Sequence, residues 1–200
     1  VMSKVWNKKV FKNIQEKVDA ASKSLAEERG ACPDAEEYGM KERFSNKTAI
    51  APTASISIIC GGSSPGIEPI AANSYTHKTL SGSFNVRNKY LKKILSKYKK
   101  DTDDVWSSIT TNQGSVSHLD FLTAEEKDTF KTAFEIDQRW IVELGADRTP
   151  HISQAQSINI FIPADIHKKD LHNLHFQAWK KGLKSLYYCR SKSIQRAENV

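Results

Sequence analysis

The most informative stretch of the chain reads Ser157-Ile158-Asn159-Ile160-Phe161-Ile162 and stops at Pro163. Apolar and polar residues alternate along it and β-branched side chains are frequent, so the pattern predicts a β-strand. A helix that opens at Asp170 follows, and a last strand is predicted over Leu186–Cys189. Strands that alternate with helices predict an α/β fold in which helices cover mostly parallel strands.

The same alternation continues toward the N-terminus, where the spacing of apolar residues and the positions of Gly and Pro define further elements. The predicted elements are a helix over Val5–Glu28, a short buried strand over Thr48–Pro52, an extended piece over Ser81–Val86, helices over Tyr90–Lys99 and Val105–Thr111, and a helix capped by Thr123 and Glu126 that runs to Leu144 and breaks near Gly145. With three or four strands the chain has too few to close a barrel, and bare sheet edges need a partner.

Composition excludes several classes of protein. The chain has 200 residues, 38% of them hydrophobic and 9% aromatic, which suits one folded domain rather than a disordered chain. Three cysteines, Cys32, Cys60 and Cys189, are too few and too scattered for a disulfide scaffold, and Cys60 and Cys189 are predicted to be buried thiols. No apolar run approaches the ~20 residues of a membrane span, so a cytoplasmic protein is expected.

The net charge of +7 and the pI near 9.2 invite a nucleic-acid interpretation. The lysines, however, cluster at helical spacing among apolar residues in Arg87–Lys100, which is typical of the solvated face of an amphipathic helix. No helix-turn-helix, zinc-finger or other nucleic-acid signature accompanies them. Solvated helix faces are therefore the preferred explanation, and nucleic acid is an unlikely partner.

Small and hydroxyl residues mark a first candidate site at Pro52-Thr53-Ala54-Ser55-Ile56-Ser57. The segment joins a predicted strand to the start of a helix, where unpaired N–H groups and the helix dipole favour a phosphate or another anion. An ordinary N-cap is the more frequent explanation of Ser and Thr after a strand. No Gly-Lys-Ser or Gly-Lys-Thr follows, so the segment is not a Walker loop.

Adjacent tyrosines, Tyr187 and Tyr188, mark a second candidate site. Neighbours in a strand point to opposite faces, which predicts one buried ring and one surface ring. Packing is the ordinary role of such residues. The functional alternative is one-electron transfer through the two phenols, which requires the rings to lie within van der Waals reach.

Two weaker patterns complete the candidates. The amide-rich run Gln154–Asn159 leads into the strand, and its buried amides either support a site or hold a turn. His172 and His175 are spaced three apart, but no further Cys or carboxylate completes a zinc pattern. No residue is therefore assigned to a metal.

Several of these stretches together resemble one family, the large catalytic subunit of aerobic, class I ribonucleotide reductase. The resemblance runs from about Ala20 to Ser193. It is carried, in family order, by Arg43–Asn46, Ile50–Ser55, Ile67–Thr76, Thr79–Gly82, Ala146–Arg148, Gln154–Asn159 and His175–Lys184, followed by Tyr187-Tyr188.

The resemblance implies that residues 1–193 are the C-terminal part of a ten-stranded α/β barrel, incomplete on its own, and that 194–200 form a polar tail. It implies that Thr53, Ala54, Ser55 and Ile56, with Ser57 as a weaker addition, bind the substrate diphosphate. It also implies that Tyr187 and Tyr188 relay a radical, with Tyr188 facing the small subunit. The activity expected is reduction of ribonucleoside diphosphates to deoxyribonucleotides for DNA replication.

The resemblance also implies what other chains must supply. The family's radical cysteine lies in an Asn-Leu-Cys-x-Glu type motif that is not found here. An N-terminal ATP-cone and a C-terminal cysteine pair are likewise expected to be missing from this split or truncated form. The expected partners are an N-terminal part of the large subunit, a small subunit with a di-metal and tyrosyl radical centre, and thioredoxin or glutaredoxin as reductant. The chain alone is expected to be inactive. The alternative is an inactive remnant, or a binding module for the small subunit.

Overall fold

The computed structural model describes residues 2–79 and 82–191. The helices and strands are, in order, α1 (Met2–Arg29), α2 (Pro33–Glu37), α3 (Ala54–Ile59), β1 (Ser74–Thr79), β2 (Gly82–Arg87), α4 (Lys89–Lys97), α5 (Asp103–Thr111), α6 (Ala124–Thr129), α7 (Gln138–Arg148), a 3₁₀ turn (Thr149–His151), β3 (Ile160–Ile162), α8 (Lys168–Lys180) and β4 (Cys189–Ser191). The predicted α/β class is confirmed, and the described residues form no closed barrel.

The chain divides into two compact units. Unit 1 combines 1–53, 138–160 and 167–188, and it therefore holds α1, α2, α7 and α8. Unit 2 combines 54–137, 161–166 and 189–200, and its largest continuous body holds α3 to α6 and the β1–β2 hairpin.

Unit 1 is built around α7, which α1 and α8 both contact. Its buried core brings together Val142 of α7, Ile160 of β3, and Leu174 and Ala178 of α8. The expected break near Gly145 is wrong, because α7 continues through this residue to Arg148. A Cβ at Gly145 would lie 2.7 Å from Ile158 Cδ1. The absence of a side chain at Gly145 therefore lets Ile158 pack closely against α7.

Unit 2 has its core where α4 and α5 meet the segment before α6. Leu91, Leu95, Trp106 and Ile109 are its largest buried apolar side chains. The lysines of α4 lie outside this core, as the amphipathic pattern predicts. Asn88 begins α4, since its Oδ1 accepts a hydrogen bond of 3.0 Å from the N–H of Tyr90.

One turn in unit 2 depends on glycine. Gly114 has φ +80°, and a Cβ there would lie 2.5 Å from Ala72 Cα. The adjacent backbone is held by the buried amide of Asn73, which donates to the carbonyl oxygens of Gly114 at 3.0 Å and Phe130 at 2.7 Å. The family-like stretch around Asn73 therefore anchors the start of β1.

The single helix predicted from Thr123 to Leu144 is wrong. The capping box of Thr123 and Glu126 is present, but α6 ends at Thr129 and α7 starts only at Gln138. Between them, Thr132 donates from both its N–H and its hydroxyl to Glu135 Oε2, and the N–H of Ala133 donates to Ile70 O at 2.8 Å. These bonds compete with the helical ladder and interrupt the helix.

The strands also differ from the predictions. β3 is shorter than Ser157–Ile162, and β4 starts at Cys189 rather than at Leu186. The predicted strand Thr48–Pro52 is reduced to an isolated parallel bridge between Ile50 and Gln156. Residues 48–52 are half-buried or exposed, so the prediction of a buried strand is wrong. β1 was not predicted, because Ser74–Thr79 has no apolar alternation, and it pairs antiparallel with β2.

The prediction that Cys60 and Cys189 are buried is wrong. Both thiols are exposed, because Cys60 follows the exposed end of α3 and every residue of β4 is exposed. Cys32 is half-buried. The predicted polar tail 194–200 lies outside the described residues.

Candidate functional site

Tyr187 and Tyr188 lie in contact in unit 1. Their ring centroids are 4.1 Å apart and their planes are inclined at 51°. Tyr187 is 45% exposed and Tyr188 is 53% exposed, so the expectation of one buried and one surface ring is wrong. Both rings sit on the same side because the pair precedes β4, outside the regular part of the strand where side chains alternate.

The backbone of the tyrosine pair is fixed by residues 158–160. The N–H of Tyr187 donates to Ile158 O at 2.7 Å, and the N–H of Ile160 donates to Tyr188 O at 2.9 Å. Ile158 and Ile160 are fully buried. The two rings are thus half-exposed, whereas their main chain is joined to the core of unit 1.

The other candidate segment, Thr53–Ser57, spans the start of α3, which begins at Ala54. Ala54, Ser55 and Ile56 are exposed and form the first turn, where an α-helix leaves its N–H groups without helical partners. Ser57 is buried, and its hydroxyl donates to Ala54 O at 2.7 Å. The Ser57 hydroxyl proton is therefore engaged inside the turn.

The segment that leads to Thr53 is held by the same stretch that fixes the tyrosines. The N–H of Ile50 donates to Ala155 O at 3.2 Å, and the N–H of Ser157 donates to Ile50 O at 2.8 Å. Gln154 N–H adds a bond of 3.0 Å to Thr48 O. Residues 154–160, called the central segment below, therefore pair with Thr48–Ile50 and with Tyr187-Tyr188.

Gln156 ties the central segment to the end of α7. Its Oε1 accepts from Arg148 Nε at 3.0 Å, and its Nε2 donates to Gly145 O at 3.0 Å and to Thr149 Oγ1 at 2.9 Å. Arg148 is itself buried, donates to Asn7 Oδ1 at 3.2 Å and lies over the Phe11 ring. Gln156 therefore holds the turn at the end of α7, the turn-holding role that was left open for the amide-rich run. These bonds leave the site-supporting role open.

Sequence reasoning missed one charged cluster in unit 1. Lys47 Nζ lies 2.6 Å from Asp19 Oδ1 and 3.3 Å from Glu42 Oε2, beside a cleft of about 200 Å³ that Gln15 and His151 help to line. A hydrogen bond from Ser22, together with Lys47, holds the pKa of Glu42 below its ordinary value against the effect of burial. Burial opposes the charge of Lys47, but hydrogen bonds to Asp19 and Glu42 raise its pKa overall.

The remaining candidates do not form a site. His172 and His175 are exposed on α8, and His175 Nδ1 contacts Leu171 O at 2.8 Å. Among residues 2–79 and 82–191 there is no group of three or more His, Cys, Asp or Glu that could hold a metal ion. No helix in these ranges combines the length and the apolar character that crossing a membrane requires.

Comparison with known proteins gives a consistent result. A family model described as the ribonucleotide reductase barrel domain matches residues 2–189. The chain is 48% identical, over 96% of its length, to the ribonucleoside-diphosphate reductase large subunit of Invertebrate iridescent virus 6. It is 45% identical over 97% of its length to that of Invertebrate iridescent virus 3, and 37% identical over 73% to that of Caenorhabditis elegans.

A solved structure agrees with these relatives. The Actinobacillus ureae class Id ribonucleotide reductase alpha subunit superimposes on all of this chain with a TM-score of 0.88 and 37% identity. The chain spans 36% of that structure and 20%, 31% and 18% of the three large subunits named above. The predicted resemblance to a C-terminal portion of the large-subunit barrel is therefore confirmed.

Proposed function

This chain belongs to the ribonucleotide reductase family, in the barrel domain of the large subunit, and from that premise we propose that it forms part of a working ribonucleoside-diphosphate reductase. Such an enzyme reduces ribonucleoside diphosphates to deoxyribonucleoside diphosphates by radical chemistry and so serves DNA replication, here in the cytoplasm. The observation that carries the proposal is the contact between the rings of Tyr187 and Tyr188, since ring contact is what electron transfer through phenols requires.

In the proposed relay, Tyr188 faces the small subunit and Tyr187 faces the active site. When bound, the small subunit with its di-metal and tyrosyl radical centre would supply the oxidant. The Tyr188 phenol gives up one electron and one proton on that side and becomes a phenoxyl radical. The Tyr188 phenoxyl radical then takes one electron and one proton from Tyr187 and returns to a phenol. Tyr187 in turn oxidises the active-site cysteine thiol to a thiyl radical, so each step moves one hydrogen-atom equivalent.

The proposed substrate site is the first turn of α3. Ala54, Ser55 and Ile56 are exposed, and the first turn of a helix offers N–H groups without helical partners together with the positive end of the helix dipole. A diphosphate accepts such hydrogen bonds without needing a lysine. Thr53 adds a hydroxyl next to this turn, whereas Ser57 contributes at most through its backbone because its hydroxyl is engaged.

Other parts of the enzyme must supply the catalytic cysteines and the reductant. Cys60 and Cys189 are exposed and Cys32 lies in the connector after α1. None of the three belongs to a motif of the Asn-Leu-Cys-x-Glu type. We propose that an N-terminal part of the large subunit contributes the radical cysteine and the reducing pair, and that thioredoxin or glutaredoxin re-reduces the enzyme.

Exposed apolar surface supports a missing neighbour. Ile56, Ile58 and Ile59 of α3 are 59%, 64% and 84% exposed, a concentration of apolar side chains that a finished enzyme buries. The alternative is an inactive remnant or a binding module for the small subunit, and turnover of the reconstituted enzyme separates it from an active part.

The test is turnover in a reconstituted enzyme made from this chain, the rest of the large subunit and the small subunit. Tyr187→Phe and Tyr188→Phe should each abolish turnover and leave assembly intact, because phenylalanine keeps the ring but has no phenolic hydrogen to lose. Deoxyribonucleotide formation and complex mass are the two measurements.

Tyr38→Phe is the matched control, since Tyr38 is an exposed tyrosine of the same unit with no assigned role. It should leave turnover unchanged. Normal turnover with either Tyr187→Phe or Tyr188→Phe would remove the relay. A wild-type assembly that forms but never turns over would favour the inactive binding module.

A further inference from the structure

We propose that Gln156 is a positioning residue. Its buried carboxamide fixes the position of the central segment. The central segment in turn fixes the position of the chain that leads to the diphosphate site and of the main chain of the tyrosine pair. This inference rests on the proposed function of Thr53–Ser57 and of Tyr187-Tyr188, but it concerns a residue to which that proposal gives no task. Gln156 touches neither substrate nor radical and acts through its neighbours.

The first observation is that the central segment is shared. On one side, Ile50 lies three residues before Thr53. Its N–H donates to Ala155 O and its C=O accepts from the N–H of Ser157, on either side of Gln156. On the other side Ile158 and Ile160 bond to the main chain of the two tyrosines at 2.7 and 2.9 Å. A shift of the central segment therefore moves the main chain of the tyrosine pair and that of Ile50, which leads to Thr53.

The second observation is how the carboxamide of Gln156 is held. Each of its polar atoms has a partner: Oε1 accepts from Arg148, and Nε2 donates to Gly145 O and Thr149 Oγ1. Residue Gln156 is only 5% exposed, so water does not replace these bonds when one is lost. The three hydrogen bonds of the Gln156 side chain thus fix the position of the central segment relative to the end of α7.

The third observation is that the central segment packs closely on α7 at the residue that binds the Gln156 side chain. Gly145, whose carbonyl oxygen accepts from Gln156, is also the point where a Cβ would clash with Ile158. The central segment therefore packs closely against α7 at Gly145, where the nearest atom is the end of the Ile158 side chain. A displacement of about 1 Å at a reacting group costs roughly 100-fold in rate, so a small shift in register is enough to impair catalysis.

The decisive variant is Gln156→Met, which keeps the length and shape of the side chain and removes all three hydrogen bonds. The chain is labelled with 3-fluorotyrosine and assembled with the rest of the large subunit and the small subunit. Fluorine NMR then reports the surroundings of Tyr187 and Tyr188 directly, and their signals are assigned with the single Tyr→Phe variants. In Gln156→Met we expect both signals to move or broaden.

The same assembly gives a kinetic signature. At a temperature well below unfolding, Gln156→Met should raise the KM for cytidine diphosphate about tenfold and lower kcat roughly 100-fold, because both flanks of the central segment move. Thr149→Val removes only one of the three bonds to Gln156 and should give a smaller change in the same direction. This milder variant keeps the test available if Gln156→Met does not fold.

Ser22→Ala is the matched control in the same unit. Ser22 is buried, and its hydroxyl accepts from the N–H groups of Arg43 and Phe44, so its loss also removes internal hydrogen bonds but leaves the central segment untouched. It should lower the melting temperature without moving the fluorine signals or KM. A merely structural role for Gln156 predicts the same pattern in both variants.

The outcomes separate this inference from the proposed function. Unmoved fluorine signals and unchanged KM in Gln156→Met and Thr149→Val overturn the inference, whatever Tyr187→Phe does. Moved signals support it even if Tyr187→Phe retains turnover, a result that would overturn the relay instead. Moved signals together with the change in KM and kcat support both.

Discussion

The backbone N–H of Ser55 is the smallest part of the proposed substrate site that can be removed singly. Ser55→Pro deletes this donor, and proline is tolerated in the first turn of a helix, although it disfavours the helical conformation of Ala54 before it. We expect the KM for a nucleoside diphosphate to rise about tenfold, the effect of one lost charge-assisted hydrogen bond. Steady-state kinetics of the reconstituted enzyme measures it.

Ser55→Ala is the matched comparison, because it removes the hydroxyl and keeps the N–H. A small effect of Ser55→Ala beside a large effect of Ser55→Pro indicates that the backbone binds the phosphate. An unchanged KM in Ser55→Pro would contradict the assignment of this turn to the diphosphate.

Single residues were predicted well where local chemistry determines them. The capping box of Thr123 and Glu126 follows from residue type and spacing alone, and it is present with the expected bonds. The burial of Cys60 and Cys189 was predicted wrongly, because apolar neighbours in sequence do not place a residue in a core. The alternation of side chains in a strand predicted that the Tyr187 and Tyr188 rings point to opposite faces. It failed because this rule holds only within a regular strand, and the two rings are in contact.

At the scale of elements, the ion cluster of Lys47 joins α1 to the connector that follows α2. Lys47→Met leaves Asp19 and Glu42 facing each other without the lysine, and it should lower the free energy of unfolding of unit 1 by about 2 kcal/mol at pH 7, between the values of surface and buried pairs. Urea unfolding at several pH values measures the difference.

The pH dependence of this difference follows from the two pKa directions. The pKa of Glu42 is lowered below its ordinary 4.5, so its contribution is complete above that value and is lost as the pH falls through its folded pKa. The pKa of Lys47 is raised above its ordinary 10.5, so its contribution is complete below that value and is lost at higher pH. The difference between wild type and Lys47→Met should therefore be largest at neutral pH and shrink toward pH 3.

Lys12→Met is the control, since Lys12 forms an exposed pair with Glu16 on the same helix. It should change stability by less than ~0.5 kcal/mol at every pH. A difference for Lys47→Met that persists at pH 3 would show that the aliphatic stem of Lys47, rather than its charge, stabilises the unit.

Helices were predicted better than strands because their signal is local. The predicted helix Val5–Glu28 corresponds to α1 and Tyr90–Lys99 to α4, each within a few residues. The gap between α6 and α7 was missed, since it depends on the bond from Ala133 to Ile70, far away in sequence. The β1 strand was missed because its stability comes from pairing with β2 rather than from an apolar face.

For the whole molecule, the proposed function predicts that this chain occurs together with the rest of the large subunit. Purified from its own cell, this chain should appear in a species larger than 22.5 kDa that also contains the Asn-Leu-Cys-x-Glu type motif, in the same polypeptide or in a second one at equal stoichiometry. Covering the exposed isoleucines of α3 is the physical reason. Native mass spectrometry with peptide identification checks it, and a lone 22.5 kDa species would contradict it.

The family could be predicted from the sequence because short motifs occur in a fixed order along most of the chain. How those motifs meet could not. The central segment pairs with Ile50, more than a hundred residues away in sequence, and with the tyrosines on its other side. Nothing in the alternation of Ser157–Ile162 indicates which segments lie beside it. The role of Gln156 could not be predicted for the same reason, because it depends on partners that only the fold brings to it.

The division of the chain into units has a consequence for synthesis on the ribosome. Unit 1 is assembled from three separate stretches, and its α1 is held to α7 by bonds such as Asn7 to Leu144, which are 137 residues apart. The long continuous stretch of unit 2, 54–137, emerges before the last stretch of unit 1 has been translated. The contacts of α1 with α7 therefore form only after the stretch 54–137 has been translated, and contacts between such distant parts of a chain form slowly and leave time for misfolding.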